Sequence, residues 1–211
     1  IDPNLLEAYL TLGSILQDQN RLKEAKSITK IAINLKPKNA IAHMNLGIIL
    51  SNSGESVEAE LSLRKSIELD PEIYRAYISL SNLFLRSGKL EEADLVTRKA
   101  IQIDPNCADA HHNLSLILLK RYQFQEGWKE YEWRWKASKK RSLGSQLLTS
   151  KPEWSPNQRG RVLLWAEQGI GDELLFSSLI PDFIEKVDKL IVKVDQRLIP
   201  LLKRSFNERT E

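Results

Sequence analysis

Four prolines, Pro3, Pro37, Pro71 and Pro105, stand 34 residues apart, and the residues between them keep the same period. In blocks of 34 opening at Leu6, Ala40, Tyr74 and Ala108, the third column is Ala8, Ala42, Ala76 and Ala110 and the seventh is Leu12, Leu46, Leu80 and Leu114. The eighth column holds Gly13, Gly47, Ser81 and Ser115, and apolar pairs such as Ile15-Leu16 and Ile49-Leu50 follow it. Spacings of three and four put these residues on one helical face, and a small column lets a second helix approach closely. A turn is predicted at Asn20, Gly54 and Gly88, where a left-handed residue is cheapest. The second helix has its own small column, Ala25, Ala59 and Ala93, and an apolar one, Ile33, Ile67 and Ile101. It ends ahead of proline, which disfavours helix in the residue before it. Each block is therefore a helical hairpin whose apolar faces are buried by its neighbours in a one-dimensional array.

The pattern resembles the tetratricopeptide repeat family. The resemblance rests on Tyr9, His43, Tyr77 and His111 at the first large position, with Gly or Ser at the eighth, Ala at the twentieth and Pro at the thirty-second. It divides the chain into the tail of a preceding repeat (1–3), repeats at 4–37, 38–71 and 72–105, and a divergent fourth at 106–138. In the fourth, Gly127 replaces the second-helix Ala, Arg134 stands where Ala or Ser recurs, and Lys139 replaces the final Pro. The family implies a mainly α fold, a right-handed superhelix of helical hairpins. Its concave wall, lined by the first helices, is expected to bind a protein or extended peptide. The opening Ile1-Asp2-Pro3-Asn4 recurs at Ile103-Asp104-Pro105-Asn106, so the sequence reads as part of a longer protein.

On that wall the second column reads Glu7, Ile41, Arg75, Asp109, the fifth Leu10, Met44, Ile78, His112 and the ninth Ser14, Ile48, Asn82, Leu116. Its mixed character argues against a clamp of clustered Lys/Arg and against a phosphate-tracking groove, so nucleic acid is not the expected partner. The sixth column reads Thr11, Asn45, Ser79, Asn113. An Asn amide offers both a donor and an acceptor and can hold a peptide backbone. In arrays similar to those of O-linked N-acetylglucosamine transferase an Asn ladder has that role; the other reading is a solvated polar face. The candidate groove residues are Thr11, Met44, Asn45, Arg75, Ser79, Asn82 and Asn113. His43 and His111 share a column with Tyr, which points to packing rather than metal binding, and His111-His112 is a poor chelating pair. No metal site is expected. The single Cys107 rules out an internal disulfide and a Cys-rich zinc site. Lys136, Lys139, Lys140 and Arg141 read as a solvated basic linker.

Beyond the array the composition changes. All five Trp lie after residue 127, and residues 106–211 hold 18 Lys/Arg against 14 Asp/Glu, where residues 1–105 hold 13 against 14. No run approaches the ~18 apolar residues of a membrane span, so the chain reads as cytoplasmic. Trp128, Tyr131 and Trp135 form a stripe at helical spacing. Such an apolar surface expects a partner, most simply the following domain, with Trp154 as a further anchor in a linker over 139–160. From 161 to 211 the order is strand (162–166), glycine loop, helix (173–187, interrupted by Pro181), strand (190–194) and amphipathic helix (197–206). That βαβα order predicts a partial, Rossmann-like α/β segment.

Its loop, Glu167-Gln168-Gly169-Ile170-Gly171-Asp172, lacks a third glycine and a P-loop lysine, so it is not a nucleotide fingerprint. Asp172 reads either as the cap of the following helix or as a general base at the C-terminal end of a strand. The segment from Trp154 to Pro181, with Gly127–Trp135 before it, resembles a recurrent bacterial arrangement of these repeats joined to a GT-B glycosyltransferase-like domain of heptosyltransferase type. That resemblance implies a ligand loop of Glu167, Gln168, Gly169 and Gly171 facing the acceptor, and Asp172 as its base. It implies no cofactor within this chain and a nucleotide-sugar donor for a full-length enzyme. Three functions follow: a binding scaffold joined to the start of a glycosyltransferase-like domain, an active glycosyltransferase at full length, or a non-catalytic adaptor.

Overall fold

The computed structural model describes residues 3–136, 149–166 and 169–206. They fall into two compact units, Ile1–Lys140 and Arg141–Glu211.

The first unit is four helical hairpins: α1 (Pro3–Asp18) with α2 (Leu22–Leu35), α3 (Ala40–Asn52) with α4 (Ser56–Leu69), α5 (Tyr74–Arg86) with α6 (Leu90–Ile103), and α7 (Ala108–Lys120) with α8 (Phe124–Tyr131). The period is written into the backbone. Asn20, Gly54, Gly88 and Tyr122 have φ of 58°, 82°, 72° and 60°. After each, an N–H reaches back to close the helix end: Arg21 to the Leu16 carbonyl at 2.8 Å, Glu55 to Leu50 at 2.9 Å, Lys89 to Phe84 at 3.0 Å and Gln123 to Leu118 at 2.9 Å. This six-to-one bond is the Schellman closure, and it requires a left-handed residue. Tyr122 is a bulky exception, because its Cβ is crowded in that conformation. Tyr122 also meets Phe124 edge-on at 6.0 Å; Tyr122→Gly is expected to raise stability by about 0.5–1 kcal/mol in urea denaturation, and a loss of stability would show that this contact outweighs the strain.

Small columns set how closely the helices pack. Ala25, Ala59 and Ala93 have no accessible surface. In the fourth hairpin a Cβ on Gly127 would lie 2.8 Å from Leu119 Cδ2 and 3.2 Å from the Leu119 backbone nitrogen, so not even alanine fits and the column shrinks to glycine. Across the second and third hairpins the eighth column and the second-helix residue it faces change together. Gly47 faces Leu63, whose Cγ would sit 2.6 Å from an added Cβ, whereas Ser81 faces Thr97 with their hydroxyls 2.6 Å apart. The centre of the array is Phe84, buried with Leu50, Leu63, Leu80, Leu83 and Ile117.

Consecutive second hairpin arms are also tied by charge. Lys26 pairs with Glu55 at 2.5 Å, Lys89 with Glu60 at 3.8 Å and Arg121 with Asp94 at 3.0 Å. Lys26, Glu60 and Asp94 share one column, so the first pair has the opposite polarity to the other two.

The aromatic stripe departs from expectation. α8 stops at Tyr131 and Glu132–Trp135 forms a 3-10 turn, so Trp135 leaves the line of Trp128 and Tyr131. Trp128 meets Tyr131 edge-on at 5.5 Å. The Arg134 guanidinium lies over both Tyr131 and Trp135, 4.6 and 4.2 Å from their ring centres. A charged side chain takes the small-residue position of the column because the backbone is no longer α-helical there.

In the second unit β1 (Arg161–Trp165) and β2 (Lys189–Lys193) pair in parallel, Arg161 opposite Lys189 through Trp165 opposite Lys193. Between them lie α9 (Ile170–Phe176), a 3-10 turn at Ser177–Leu179 and α10 (Ile180–Ile184); α11 (Ile199–Phe206) follows. Both strands begin one residue earlier than the sequence reading placed them. Pro181 restarts the interrupted helix near the N-terminus of α10, where a missing N–H costs nothing. The expected partial Rossmann segment is reduced to this: among the described residues there are two parallel strands, fewer than a stable sheet of that kind needs. Ile180, Val187 and Leu190 form its small core. No described helix is long and apolar enough to cross a membrane.

Candidate functional site

The first helices place the groove candidates on one wall, but not all at its surface. Thr11 and Arg75 are exposed, and Asn45, Ser79 and Asn82 are half-buried. Ser79 Oγ donates to the Arg75 carbonyl one turn back at 2.9 Å. Met44 is 7% exposed and belongs to the core rather than the wall, because its column turns toward the next hairpin. Asn113 is 2% exposed, and its amide nitrogen donates to Ser81 Oγ at 3.2 Å and Asn82 Oδ1 at 2.9 Å. The ladder is therefore shorter than the sequence suggests: Asn45 is its remaining amide, and the buried Asn113 amide is spent inside the array. Asn113 has a consequence of its own. By occupying Asn82 Oδ1, it leaves the Asn82 N–H₂ as the group available to the wall. Ile41, 48% exposed, gives that wall an apolar contact that column reading alone did not single out.

The histidines serve the turns between hairpins. His43 Nε2 donates to the Pro37 carbonyl at 2.8 Å, and His111 Nε2 does the same to Pro105 at 3.0 Å. His111 Nδ1 meets the Glu130 carboxylate at 2.5 Å, and Trp133 stacks on the ring at 4.0 Å and 6°. The Lys136 ammonium lies 4.4 Å from the centre of that Trp133 ring. Burial raises the pKa of the Tyr77 phenol in the same column, with the nearby Glu72 and Asp70 charges acting in the same direction. Cys107 is buried, and burial likewise pushes its thiol up. Among the described residues no group of three or more His, Cys, Asp or Glu could hold a metal ion.

In the second unit Gly169, with extended φ of −71° and ψ of 164°, is the residue that starts α9. Its carbonyl accepts from the Asp172 and Glu173 N–H groups at 2.9 and 3.1 Å. The N-cap position considered for Asp172 is thus filled by Gly169, and Asp172 is the third helical residue. Gly171 is likewise inside the helix and not in a loop. Asp172 keeps a favourable place near the positive helix end and is half-buried. Glu167 and Gln168 lie outside the described residues, as do Lys139, Lys140 and Arg141 of the basic run. Glu173, the next carboxylate, accepts from the Asp195 N–H at 2.8 Å and so ties α9 to the turn after β2. Asp195 is clasped by Arg197, whose side-chain and backbone hydrogen bonds hold its carboxyl down to about 2. Trp154 tilts against Phe183 at 5.0 Å and donates Nε1 to the Gln158 carbonyl at 2.8 Å, both within its own unit. It anchors the segment before β1 onto α10.

The family profile described as "Tetratricopeptide repeat" matches residues 6–39, 40–73 and 74–107. Its three blocks keep the column frame and stop before the α7–α8 hairpin. Among solved structures, MamA is similar at 25% identity and a TM-score of 0.55, over 63% of this chain and 77% of that one. PilF of Pseudomonas aeruginosa is similar at 22% identity and a TM-score of 0.58, over 61% of this chain and 59% of its own. The first such repeat domain of Spaghetti (RPAP3), bound to the HSP90 peptide SRMEEVD, is similar at 19% identity and a TM-score of 0.54, over 58% of this chain and 97% of its own. FlbA of Caulobacter vibrioides is 36% identical over 86 residues, which is 38% of this chain and 14% of FlbA. None of these four is named for sugar transfer.

Proposed function

We propose that residues 6–107, which are three tetratricopeptide repeats, act with the α7–α8 hairpin as a scaffold holding an extended segment of a partner protein along the first helices. The supporting observation is the wall itself. It presents Ile41, Asn45, Arg75 and Asn82 in succession on neighbouring hairpins, with Met44 and Ile78 packed beneath as a rigid floor. Asn45 and Asn82 offer amide groups to a peptide backbone, and Ile41 offers apolar contact. The wall lacks a cluster of one charge sign, which fits a partner chosen by shape and backbone rather than by an acidic or basic tail. The Spaghetti domain holds a peptide on a similar fold, which makes the fold compatible with this use.

Peptides selected from a displayed library against the whole chain test this. Ile41→Asp combined with Asn45→Ala is expected to weaken a selected peptide by about 1–3 kcal/mol, roughly 5- to 150-fold. Leu95→Asp, on the 74% exposed outer face of α6, should leave affinity unchanged. Equal effects of the two variants would remove the groove assignment.

A narrower reading extends to residues 161–206. Asp172 follows β1 by seven residues, in the first turn of α9, on the side of the strand where open α/β sheets bind ligands, and the resemblance to a glycosyltransferase-like domain offers it as a candidate base for a sugar acceptor. This activity requires a nucleotide-sugar-binding half in addition to these residues. In the protein carrying that half, Asp172→Asn is expected to abolish transfer while changing stability by less than about 1 kcal/mol. An unchanged transfer rate would leave Asp172 as a residue that only favours the helix end.

A further inference from the structure

The 34-residue repeat makes the molecule its own comparison. Around His111, the ring is covered by Trp133 and its Nδ1 is met by Glu130, both from the second arm of the same hairpin. Two repeats earlier the counterparts of His111, Glu130 and Trp133 are His43, Ser62 and Lys65. His43 holds the same backbone bond to a proline carbonyl, at 2.8 Å against 3.0 Å. With a serine and a lysine in place of the carboxylate and the indole, nothing is stacked on it. What remains is an open hollow of about 450 Å³ between α2, α3 and α4, lined by Ile33, Asn34, His43, Leu46, Ser62 and Lys65. That size lies within the roughly 300–1,000 Å³ of sites that take small ligands or single anchoring side chains.

We propose that this hollow is a second docking site, away from the first-helix groove, which receives a tryptophan side chain of a partner protein stacked on His43. The occupant is specified by the last hairpin, where an indole lies parallel to the equivalent imidazole. The lining suits an amphipathic ring. Ile33 and Leu46 provide an apolar floor, while Asn34 and Ser62 can accept from the indole N–H that a buried tryptophan must satisfy. Lys30 and Lys65 also line the hollow, the Lys65 ammonium paired with Glu68 at 2.8 Å, and a cation beside the face of a bound indole is favourable. The third hairpin does not repeat the site, because there Tyr77 fills the column and is itself buried.

The probe is an end-blocked peptide with the sequence of residues 129–136, which carries the Glu-x-x-Trp spacing of Glu130 and Trp133. Titrated into the whole chain, it is expected to move the His43 ring-proton resonances upfield through the ring current, in a saturable way. The same peptide with leucine in place of both tryptophans should leave them in place. Lys65→Trp combined with Ser62→Glu puts an indole and a carboxylate at the equivalent positions beside the hollow, on α4. In that variant the His43 resonances should already be shifted upfield without peptide, and peptide affinity should fall at least about tenfold. Peptide that leaves His43 unmoved, or that binds equally well to that variant, overturns the proposal. Loss of groove binding in the Ile41→Asp, Asn45→Ala variant with the His43 response intact would show that the two sites are separate.

Discussion

Phe84→Ala is expected to cost about 3–5 kcal/mol, the usual loss for a large aromatic removed from a core that cannot collapse around the gap. The ring is 2% exposed and lies at the centre of a cluster drawn from the second, third and fourth hairpins. The Arg64 and Lys89 side chains lie 5.9 and 5.5 Å from its centre, so its removal also uncovers two cations. Its carbonyl closes the helix end through Lys89, which alanine preserves. The loss therefore reports packing and not the turn. In a one-dimensional array the damage should spread unevenly. Hydrogen exchange is expected to accelerate in α3 to α7 and far less in α1 and α2. A urea midpoint corresponding to less than about 2 kcal/mol would mean that the neighbouring helices close the gap.

The second large effect concerns a pair. Gly47→Ser should destabilise by about 1–3 kcal/mol, because a Cβ there would press to 2.6 Å on Leu63 Cγ and 3.2 Å on the Ala59 carbonyl. Leu63→Thr alone should cost about 2–3 kcal/mol by removing buried methyl groups and burying a hydroxyl. Together they recreate the Ser81–Thr97 arrangement of the next hairpin, in which the two hydroxyls bond and Thr97 also donates to the Ala93 carbonyl at 2.7 Å. The double variant should therefore be more stable than the sum of the single losses by about 1–2 kcal/mol. Strict additivity in the denaturation cycle would show that the eighth column and its facing residue are chosen independently.

These pairs explain why the array was so legible in the sequence. A residue recurring every 34 positions is seen several times, and the column of Ala42, Ala76 and Ala110, all fully buried, identifies a contact surface without any coordinates, while Ala8 at its head is exposed. The column frame, the left-handed turns at Asn20, Gly54 and Gly88 and the restart at Pro181 all follow from local chemistry. What escaped depends on tertiary context. Asn113 looks like any polar residue on a first helix until Ser81 and Asn82 of the preceding hairpin bury its amide. Tyr122 breaks the expected turn chemistry because helix closure fixes the backbone there whatever the side chain. Trp135 fits the stripe only while α8 remains α-helical, and it does not beyond Tyr131. In the second unit Asp172 looked like a cap because it lies near a helix start, but the start is set three residues earlier by Gly169.

The reversed polarity of the first charge pair between the second hairpin arms has an evolutionary consequence. Repeats that arise by duplication are at first interchangeable, so unequal recombination can delete or reorder them. In this chain, loss of the second repeat would bring Lys26 opposite Lys89, two like charges where each now faces a carboxylate. Each exposed pair adds little to stability. Loss of the third repeat would instead bring Glu60 opposite Arg121, still a pair of opposite sign, so the reversed first pair disfavours deletion of the second module and not of the third.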